Sequence, residues 1–101
     1  GAKGAMLAMT NQLAGQFGAS NVRFNSISPG AINTPMNAKR AETEGTTFLE
    51  KSAAQHAMNR LGTPSEVAMT AVFLASDEAG FITGEDIKVD GGLCTLPRYT
   101  E

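Results

Sequence analysis

Few side chains in this sequence could do chemistry, and Lys3 is the first of them. It lies in "GAKGAMLAMT", between small residues at the start of an apolar run with helical spacing. A lysine near a helix start is usually a solvated surface group, but its ammonium can also donate hydrogen bonds to a partner. The only histidine, His56, and the only cysteine, Cys94, match no zinc-binding spacing, so no metal site is predicted. We expect His56 to be a surface or packing histidine and Cys94 to be structurally neutral.

The segment "SPGAINTP" is the second candidate. Val22, Phe24 and Ile27 form a short β-prone run that Pro29 and Gly30 must end. Pro29 and Gly30 permit a sharp turn and a close approach of the backbone to a flat group. Open α/β sheets bind ligands beyond the carboxyl ends of their strands, although a lone Pro-Gly is usually only a turn.

Apolar periodicity predicts the elements that would position these residues. An amphipathic helix is expected over residues 4–17, with Gly18 as its left-handed cap, followed by a strand over Val22–Ser28. Residues 31–60 are mostly polar or small, and they predict one or two short helices broken at Gly45. The apolar face of the first helix consists of Met6, Met9, Leu13, Ala14 and Phe17.

A second strong helix signal occurs in "TPSEVAMTAVFLAS". Thr63 is the expected N-cap, Pro64 the first helical residue, and Glu66 the residue that returns the capping-box bond of a helix over 64–76. Its buried face is expected to consist of Val67, Ala71, Val72, Leu74 and Ala75.

"FITGEDIKVDGG" then predicts a turn and a strand through residues 86–89 with a Gly-Gly exit. The order helix, strand, helices, strand implies an α/β fold with two parallel strands joined by a right-handed crossover. Parallel sheets are normally buried on both faces within larger assemblies, so the chain is expected to be part of a domain. No Ser, Thr, Asp or Asn caps the first helix, which is therefore expected to begin earlier.

Composition excludes several classes of function. The 101 residues are 42% hydrophobic and 18% charged, with a net charge of -2, which is typical of a small globular chain with a modest core. Without a basic patch, neither nucleic acid nor a membrane surface is an expected partner. The single cysteine indicates a reducing, cytoplasmic setting.

The stretch "GAKGAMLAMTNQLAGQFGASNVRFNSISPGAINTPM", followed by "RLGTPSEVAMTAVFLASDEAGFITGEDIKVDGG", resembles the C-terminal part of a classical short-chain dehydrogenase/reductase. The likeness covers residues 1–92, and several separate motifs occur in the family's order. It implies that residues 1–101 are the C-terminal segment of a single NAD(P)-binding Rossmann-fold domain with a doubly wound parallel sheet.

The resemblance places Lys3 in the family's Tyr-x-x-x-Lys motif, whose tyrosine would lie four positions earlier, before Gly1. Residues at i and i+4 share a helix face, so the ammonium can lower the pKa of a phenol, about 10 when free, toward the value that a general acid/base needs. In the family this lysine also hydrogen-bonds the nicotinamide ribose. Lys3 is therefore predicted to be both catalytic and cofactor-binding.

"SPGAINTP" likewise resembles the family's Pro-Gly-x-Ile/Val-x-Thr segment. The resemblance implies that the Ile32 backbone meets the nicotinamide carboxamide and that the Thr34 hydroxyl reaches the cofactor. Pro29, Gly30, Ile32 and Thr34 are thus predicted cofactor-binding residues. NAD and NADP both remain open, because that choice is made after the second strand of such a domain.

Residues 35–60 correspond in the family to the substrate-binding loop and helices. Met36, Phe48 and Met58 are candidates to line a pocket for a small-molecule substrate, although ordinary packing explains each equally well. "VDGG" at 89–92 resembles a strand end that forms part of the oligomer interface in many members, so a homo-oligomer, dimer or tetramer, is expected.

Several family features are missing from this sequence: the N-terminal Gly-x-x-x-Gly-x-Gly turn, the catalytic serine, the structural asparagine and the tyrosine. We therefore interpret the chain as a fragment of an oxidoreductase of 3-oxoacyl or sugar/polyol type, which moves a hydride between NAD(P) and a carbonyl or alcohol. Its partner would be the remaining N-terminal half of the parent chain, and alone it is expected to be inactive. The alternative is a standalone, non-catalytic binding or assembly module on the same scaffold.

Overall fold

The computed structural model describes residues 1–93 and 95, so Cys94 and most of the C-terminal tail lie outside the described residues. The predicted α/β class is confirmed, with four helices and a two-stranded sheet. The elements in chain order are α1 (Ala2–Phe17), β1 (Ser26–Pro29), α2 (Pro35–Glu44), α3 (Thr47–Gln55), α4 (Pro64–Ala75) and β2 (Asp86–Val89), with short 3-10 turns at Gly18–Ser20 and Asp77–Ala79. No helix within the described part of the chain has the length and apolarity needed to cross a membrane.

The chain forms two compact units. The first unit consists of Gly1–Ser28 and Ala68–Lys88, and the second of Pro29–Val67 and the residues from Val89 onward. The first therefore contains α1, most of the sheet and the C-terminal part of α4. The second contains α2, α3 and the start of α4.

In the first unit, the two strands run parallel, as predicted. The Ser26 amide donates to the Glu85 carbonyl at 2.9 Å, and the Gly84 amide donates to the Phe24 carbonyl at 2.7 Å. The predicted strand over Val22–Ser28 is wrong in its first half, because regular pairing begins only at Ser26.

Side-chain hydrogen bonds join the residues before β1 to the segment before β2. Arg23 donates to the carbonyls of Ser76 and Ile82, both at 3.2 Å, and Asn25 donates to the Ile82 carbonyl at 3.0 Å. These bonds tie residues 23–25 to the segment before β2 through side chains. Backbone bonds between the two segments also occur here, at Phe24, but the regular ladder of β1 begins only at Ser26.

The end of α1 also differs from the prediction. Gly18 is right-handed, with φ -57°, and the chain continues through a 3-10 turn to Asn21, which takes the left-handed conformation with φ 60°. The Asn21 amide bonds the Gly18 carbonyl at 2.9 Å, and the Val22 amide bonds the Phe17 carbonyl at 3.3 Å, as in a Schellman motif. Asparagine tolerates this conformation, so it replaces glycine as the helix stop.

Most of the predicted helix faces are not buried. Among the described residues, the buried apolar side chains are Ala14, Leu74 and Ala79. The predicted core residues that are exposed instead are Met6, Met9, Phe17, Ala71, Val72 and Ala75. An apolar helix face needs an opposing surface, and two strands of four residues each offer little.

In the second unit, the helix break at Gly45 is confirmed, with φ 81° at that residue. The predicted capping box of α4 is also present. The Thr63 amide donates to Glu66 Oε1 at 2.9 Å, and the Glu66 amide donates to Thr63 Oγ1 at 3.2 Å. Arg60 adds a two-pronged ion pair to the same Glu66 carboxylate, at 2.8 and 2.9 Å.

Candidate functional site

Lys3 lies in the first turn of α1 with an exposed side chain. Within residues 1–93 and 95, no carboxylate approaches its ammonium to ion-pair distance. Lys3 can therefore turn its three donors toward a ligand or an acidic neighbour without first breaking an ion pair within this part of the chain.

Asp86 on β2 forms a polar cluster with two serines that the sequence analysis did not predict. Its carboxylate accepts hydrogen bonds from Ser26 Oγ at 2.7 Å and from Ser28 Oγ at 2.8 and 2.9 Å. These bonds hold the pKa of the Asp86 carboxyl below its ordinary value, and the positive charges of Lys3 and Lys88 lower it further. Because alternate strand residues share a face, the Ser-x-Ser spacing on β1 was the available signal.

Residues 29–34 form the strand-end loop, which belongs to the second unit. Its backbone is held at several points: the Gly30 amide bonds the Val89 carbonyl at 3.0 Å, and the Asn33 amide bonds the Gly62 carbonyl at 2.8 Å. The Gly62 amide in turn bonds the Ala31 carbonyl at 3.0 Å, which makes Ile32 and Gly62 an isolated parallel bridge.

Two donors of the strand-end loop are left for a ligand. Among the described residues, the Ile32 amide donates to no acceptor, while the Ile32 carbonyl accepts from Asn37 Nδ2 at 2.8 Å. Thr34 is the N-cap of α2, because its hydroxyl oxygen accepts from the Asn37 amide at 3.2 Å. The Thr34 hydroxyl proton thus stays available, and the capping role adds to the cofactor role predicted from the resemblance.

His56 lies directly against this loop and is only 3% exposed. Its Nε2 accepts from the Ala31 amide at 3.1 Å, and its Nδ1 lies 2.7 Å from the Ser52 carbonyl. Of the two predicted roles, surface or packing, the packing role is confirmed. Its link to residue 31 was not predicted, since the two positions are 25 residues apart and no local pattern joins them.

The three proposed substrate residues lie in different surroundings. Met36 is 79% exposed and Met58 is 60% exposed. Phe48 is half-buried, with the Arg40 guanidinium 4.0 Å above its ring. Their role in lining a pocket stays a prediction. In the part of the chain that the structure describes, no three His, Cys, Asp or Glu side chains are grouped as metal ligands.

Comparison with known proteins decides the family. A sequence profile described as "Enoyl-(Acyl carrier protein) reductase" matches residues 1–94. NovJ of Streptomyces niveus, a short-chain reductase protein, is 43% identical in an alignment of 94 positions that covers 90% of this chain and 36% of NovJ. The chain belongs to the short-chain dehydrogenase/reductase family.

Other short-chain dehydrogenases/reductases support this assignment. The 3-oxoacyl-[acyl-carrier-protein] reductase FabG of Thermotoga maritima is 40% identical over 91 residues, which are 90% of this chain and 35% of FabG. The structure of Thermoplasma acidophilum aldohexose dehydrogenase superposes with a TM-score of 0.80 at 38% identity, over 98% of this chain and 42% of that one. YwfH, an NADPH-dependent reductase involved in bacilysin biosynthesis, gives a TM-score of 0.81 at 32% identity, over 91% of this chain and 37% of YwfH.

The chain spans only about a third of the length of the curated relatives that it matches, 36% of NovJ and 35% of FabG. The matches therefore cover one part of the family's Rossmann-type domain.

Proposed function

We propose that this chain is the C-terminal segment of an NAD(P)-dependent oxidoreductase, called the parent enzyme below. The parent enzyme would transfer a hydride between the nicotinamide cofactor and a carbonyl or alcohol substrate. The observation that carries this proposal is the free Ile32 amide in the strand-end loop of a short-chain dehydrogenase/reductase. Its place beyond the carboxyl end of β1 is where open α/β sheets bind their ligands.

The residues present fit a nicotinamide nucleotide. The carboxamide of that cofactor offers a carbonyl acceptor, which suits the Ile32 amide, and its ribose hydroxyls suit the exposed Lys3 ammonium. Thr34 can donate its hydroxyl proton while its oxygen continues to cap α2. When bound, the cofactor supplies or accepts the hydride; the donors of this chain bind and orient it.

Lys3 has a second proposed task, which is to tune a general acid/base. By family resemblance, the tyrosine would precede Lys3 by four residues on the same helix face in the parent enzyme. The Lys3 charge would lower the pKa of that phenol so that it exchanges a proton with the substrate oxygen near neutral pH. The chain alone lacks this tyrosine, and we propose that it is inactive.

The substrate class is proposed as 3-oxoacyl or sugar/polyol. The identity to FabG, a 3-oxoacyl-[acyl-carrier-protein] reductase, and to an aldohexose dehydrogenase supports these two classes. Residues 35–60, with α2 and α3, are the proposed substrate-binding segment. Its best apolar candidates are Met36, Phe48 and Met58. A homo-oligomeric parent enzyme in the cytoplasm stays a prediction.

The test uses the purified parent enzyme. Titration with NADH and with NADPH, followed by coenzyme fluorescence, should show saturable binding of at least one of them. Coenzyme oxidation should then be observed with a 3-oxoacyl thioester or, in the reverse direction, coenzyme reduction with an aldohexose. Absence of binding to both coenzymes would overturn the proposal, and turnover of neither substrate class would overturn its substrate part.

A further inference from the structure

The imidazole of His56 is locked in one orientation by two backbone groups. On one side, Nε2 lies 3.1 Å from the Ala31 amide nitrogen; on the other, Nδ1 lies 2.7 Å from the Ser52 carbonyl oxygen in α3. A backbone amide can only donate, and a backbone carbonyl can only accept. The ring must therefore carry its proton on Nδ1 and present the lone pair of Nε2 to Ala31, which is one defined neutral tautomer.

The surroundings enclose the ring, since His56 is only 3% exposed. A Cβ atom on Gly30 would lie 2.7 Å from His56 Nε2 and 2.9 Å from the Asp90 Cα, so the glycine is what permits this close approach. On the other side, a Cβ atom on Gly91 would lie 3.8 Å from His56 Cβ and Cδ2. The ring is thus held between the strand-end loop, the end of α3 and the turn that follows β2.

Two consecutive peptide units of the loop are fixed by these contacts. His56 holds the amide of Ala31, which belongs to the peptide between residues 30 and 31. Gly62 holds the carbonyl of Ala31, which belongs to the peptide between residues 31 and 32. In a planar trans peptide the carbonyl and the amide point in opposite directions, so fixing the Ala31 carbonyl fixes the direction of the Ile32 amide.

We propose that His56 is a positioning residue for coenzyme binding. Its bond to the Ala31 amide orients the peptide between residues 30 and 31, which directly precedes the peptide that carries the Ile32 amide. Its bond to Ser52 anchors the imidazole, and with it this peptide, to α3. The Ile32 amide is then aimed before the coenzyme arrives, which removes an ordering cost from binding. This inference rests on the proposed function, because it assigns the Ile32 amide to the nicotinamide carboxamide.

Three substitutions of His56 in the parent enzyme distinguish the contribution of its Ala31 bond from that of its Ser52 bond. His56→Phe keeps the ring shape and loses both bonds. His56→Asn retains a donor near the Nδ1 position and loses the acceptor for Ala31. His56→Gln places an amide oxygen near the Nε2 position and restores that acceptor. Ala54→Ser, an exposed position in the last turn of α3, is the matched control.

The expected result is a graded loss of coenzyme affinity. Loss of the Ala31 bond changes the equilibrium between the aimed loop and its other conformations by roughly tenfold. Because the apparent Kd rises as the binding-competent fraction falls, Phe and Asn should raise the coenzyme Kd by up to about tenfold. Gln and the Ala54→Ser control should stay within about twofold of wild type. The KM for the carbonyl substrate should be unaffected in all four variants, since the Ala31 bond positions the coenzyme donor only.

A merely structural histidine would give a different pattern. It would lower the thermal midpoint and the folded fraction, while the coenzyme Kd of the folded molecules would stay constant. Equal Kd values in wild type, Phe and Asn would therefore overturn the inference while leaving the proposed function intact. Failure of wild type to bind NADH or NADPH would overturn both.

A measurement on wild type covers the case in which the variants do not fold. In protein labelled with nitrogen-15 at histidine, the His56 signal should show a protonated Nδ1 and an unprotonated Nε2. Through-bond correlations to the backbone of the neighbouring residues assign the His56 signal without a variant. A protonated Nε2 would overturn the inference, because such a nitrogen cannot accept from Ala31.

Discussion

Thr34 illustrates how one hydroxyl can serve the fold and the ligand at once. Its oxygen accepts from the Asn37 amide and caps α2, and its proton is the proposed donor to the cofactor. We expect Thr34→Ala to weaken coenzyme binding by about fivefold, the effect of one hydrogen bond, and to lose the cap, which is worth about 0.5–2 kcal/mol. Thr34→Ser should preserve both. Coenzyme titration and thermal unfolding of the parent enzyme measure the two effects separately, and an unchanged affinity in Thr34→Ala would leave the residue with the capping role alone.

Lys3 gives the sharpest prediction for a single residue. Lys3→Ala should remove both the charge that lowers the tyrosine pKa and the hydrogen bonds to the ribose. A pKa unit corresponds to about 1.4 kcal/mol and a charged hydrogen bond to about 1.5–3 kcal/mol, so turnover should fall on the order of 10²-fold. The pH–rate profile should move to higher pH, because the phenol then ionises less readily.

The controls for Lys3 are a second variant and a stability measurement. Lys3→Arg keeps the charge but changes its reach and donor geometry, so it should move the pH profile less than alanine while still reducing turnover. Thermal stability should be nearly constant in both variants, because Lys3 is exposed. If Lys3→Ala leaves the pH–rate profile and the turnover number unaltered, Lys3 is an ordinary solvated lysine.

At the scale of elements, the start of α4 could be predicted from sequence and the start of β1 could not. The α4 cap depends on Thr63, Pro64 and Glu66, which are adjacent in sequence, so all of the information is local. By contrast, the residues before β1 are held by distant partners: Arg23 donates to the Ser76 carbonyl, 53 residues away. The predicted buried faces of α1 and α4 were mostly wrong for the same reason, since burial depends on surfaces that lie elsewhere in the chain.

The residues around the candidate site also differ in how far the sequence could predict them. The residues of the strand-end loop carry a motif, so they were predicted from resemblance, and their part in cofactor binding stays a prediction. His56 was predicted only as surface or packing, because its Ala31 bond becomes visible when α3 is folded against the loop. Asp86 was missed entirely, since its two serine partners lie on the other strand.

Glu66 yields a pH prediction for the start of α4. The side-chain bond from Arg60 and the backbone bond from Thr63 lower the pKa of Glu66 from its ordinary value of 4.5 to about 2. A carboxyl with a lowered pKa stabilises the fold above its unfolded pKa and loses this contribution as the pH falls. The contribution should therefore be complete at pH 6 and disappear between pH 4.5 and about 2.

Glu66→Gln tests this window in the parent enzyme. At pH 7 the variant should unfold about 2–4 °C below wild type. The gap should narrow as the pH falls toward 2, because wild type then loses the same charge. Arg60→Gln should show the same lowered unfolding temperature and the same pH dependence as Glu66→Gln, since both substitutions remove the same ion pair. A gap that stays constant across the titration would show that the carboxylate charge of Glu66 does not stabilise α4.

For the molecule as a whole, the first unit has more apolar surface than its own elements cover. On α1, Met6 is 49% and Met9 57% exposed; on α4, Met69 is 60% and Val72 59% exposed. The sheet has two strands, so within the described residues each strand has one edge without a backbone partner. Exposed apolar faces and open strand edges both favour association with further chain or with another molecule.

The chain expressed alone should therefore lack a cooperative fold. We expect it to be molten, aggregated or dimeric through an open strand edge, and inactive with either coenzyme. Sedimentation velocity and a thermal scan followed by near-ultraviolet circular dichroism would show this, with the parent enzyme as the control that unfolds cooperatively. The intact mass of the control should be measured first, and roughly 25 kDa, the size of a single domain of this kind, would show that the full parent enzyme is being compared. A monomer with a sharp thermal transition would contradict the prediction, because a two-stranded parallel sheet with exposed helix faces should not fold cooperatively. That outcome would favour the standalone binding or assembly module instead.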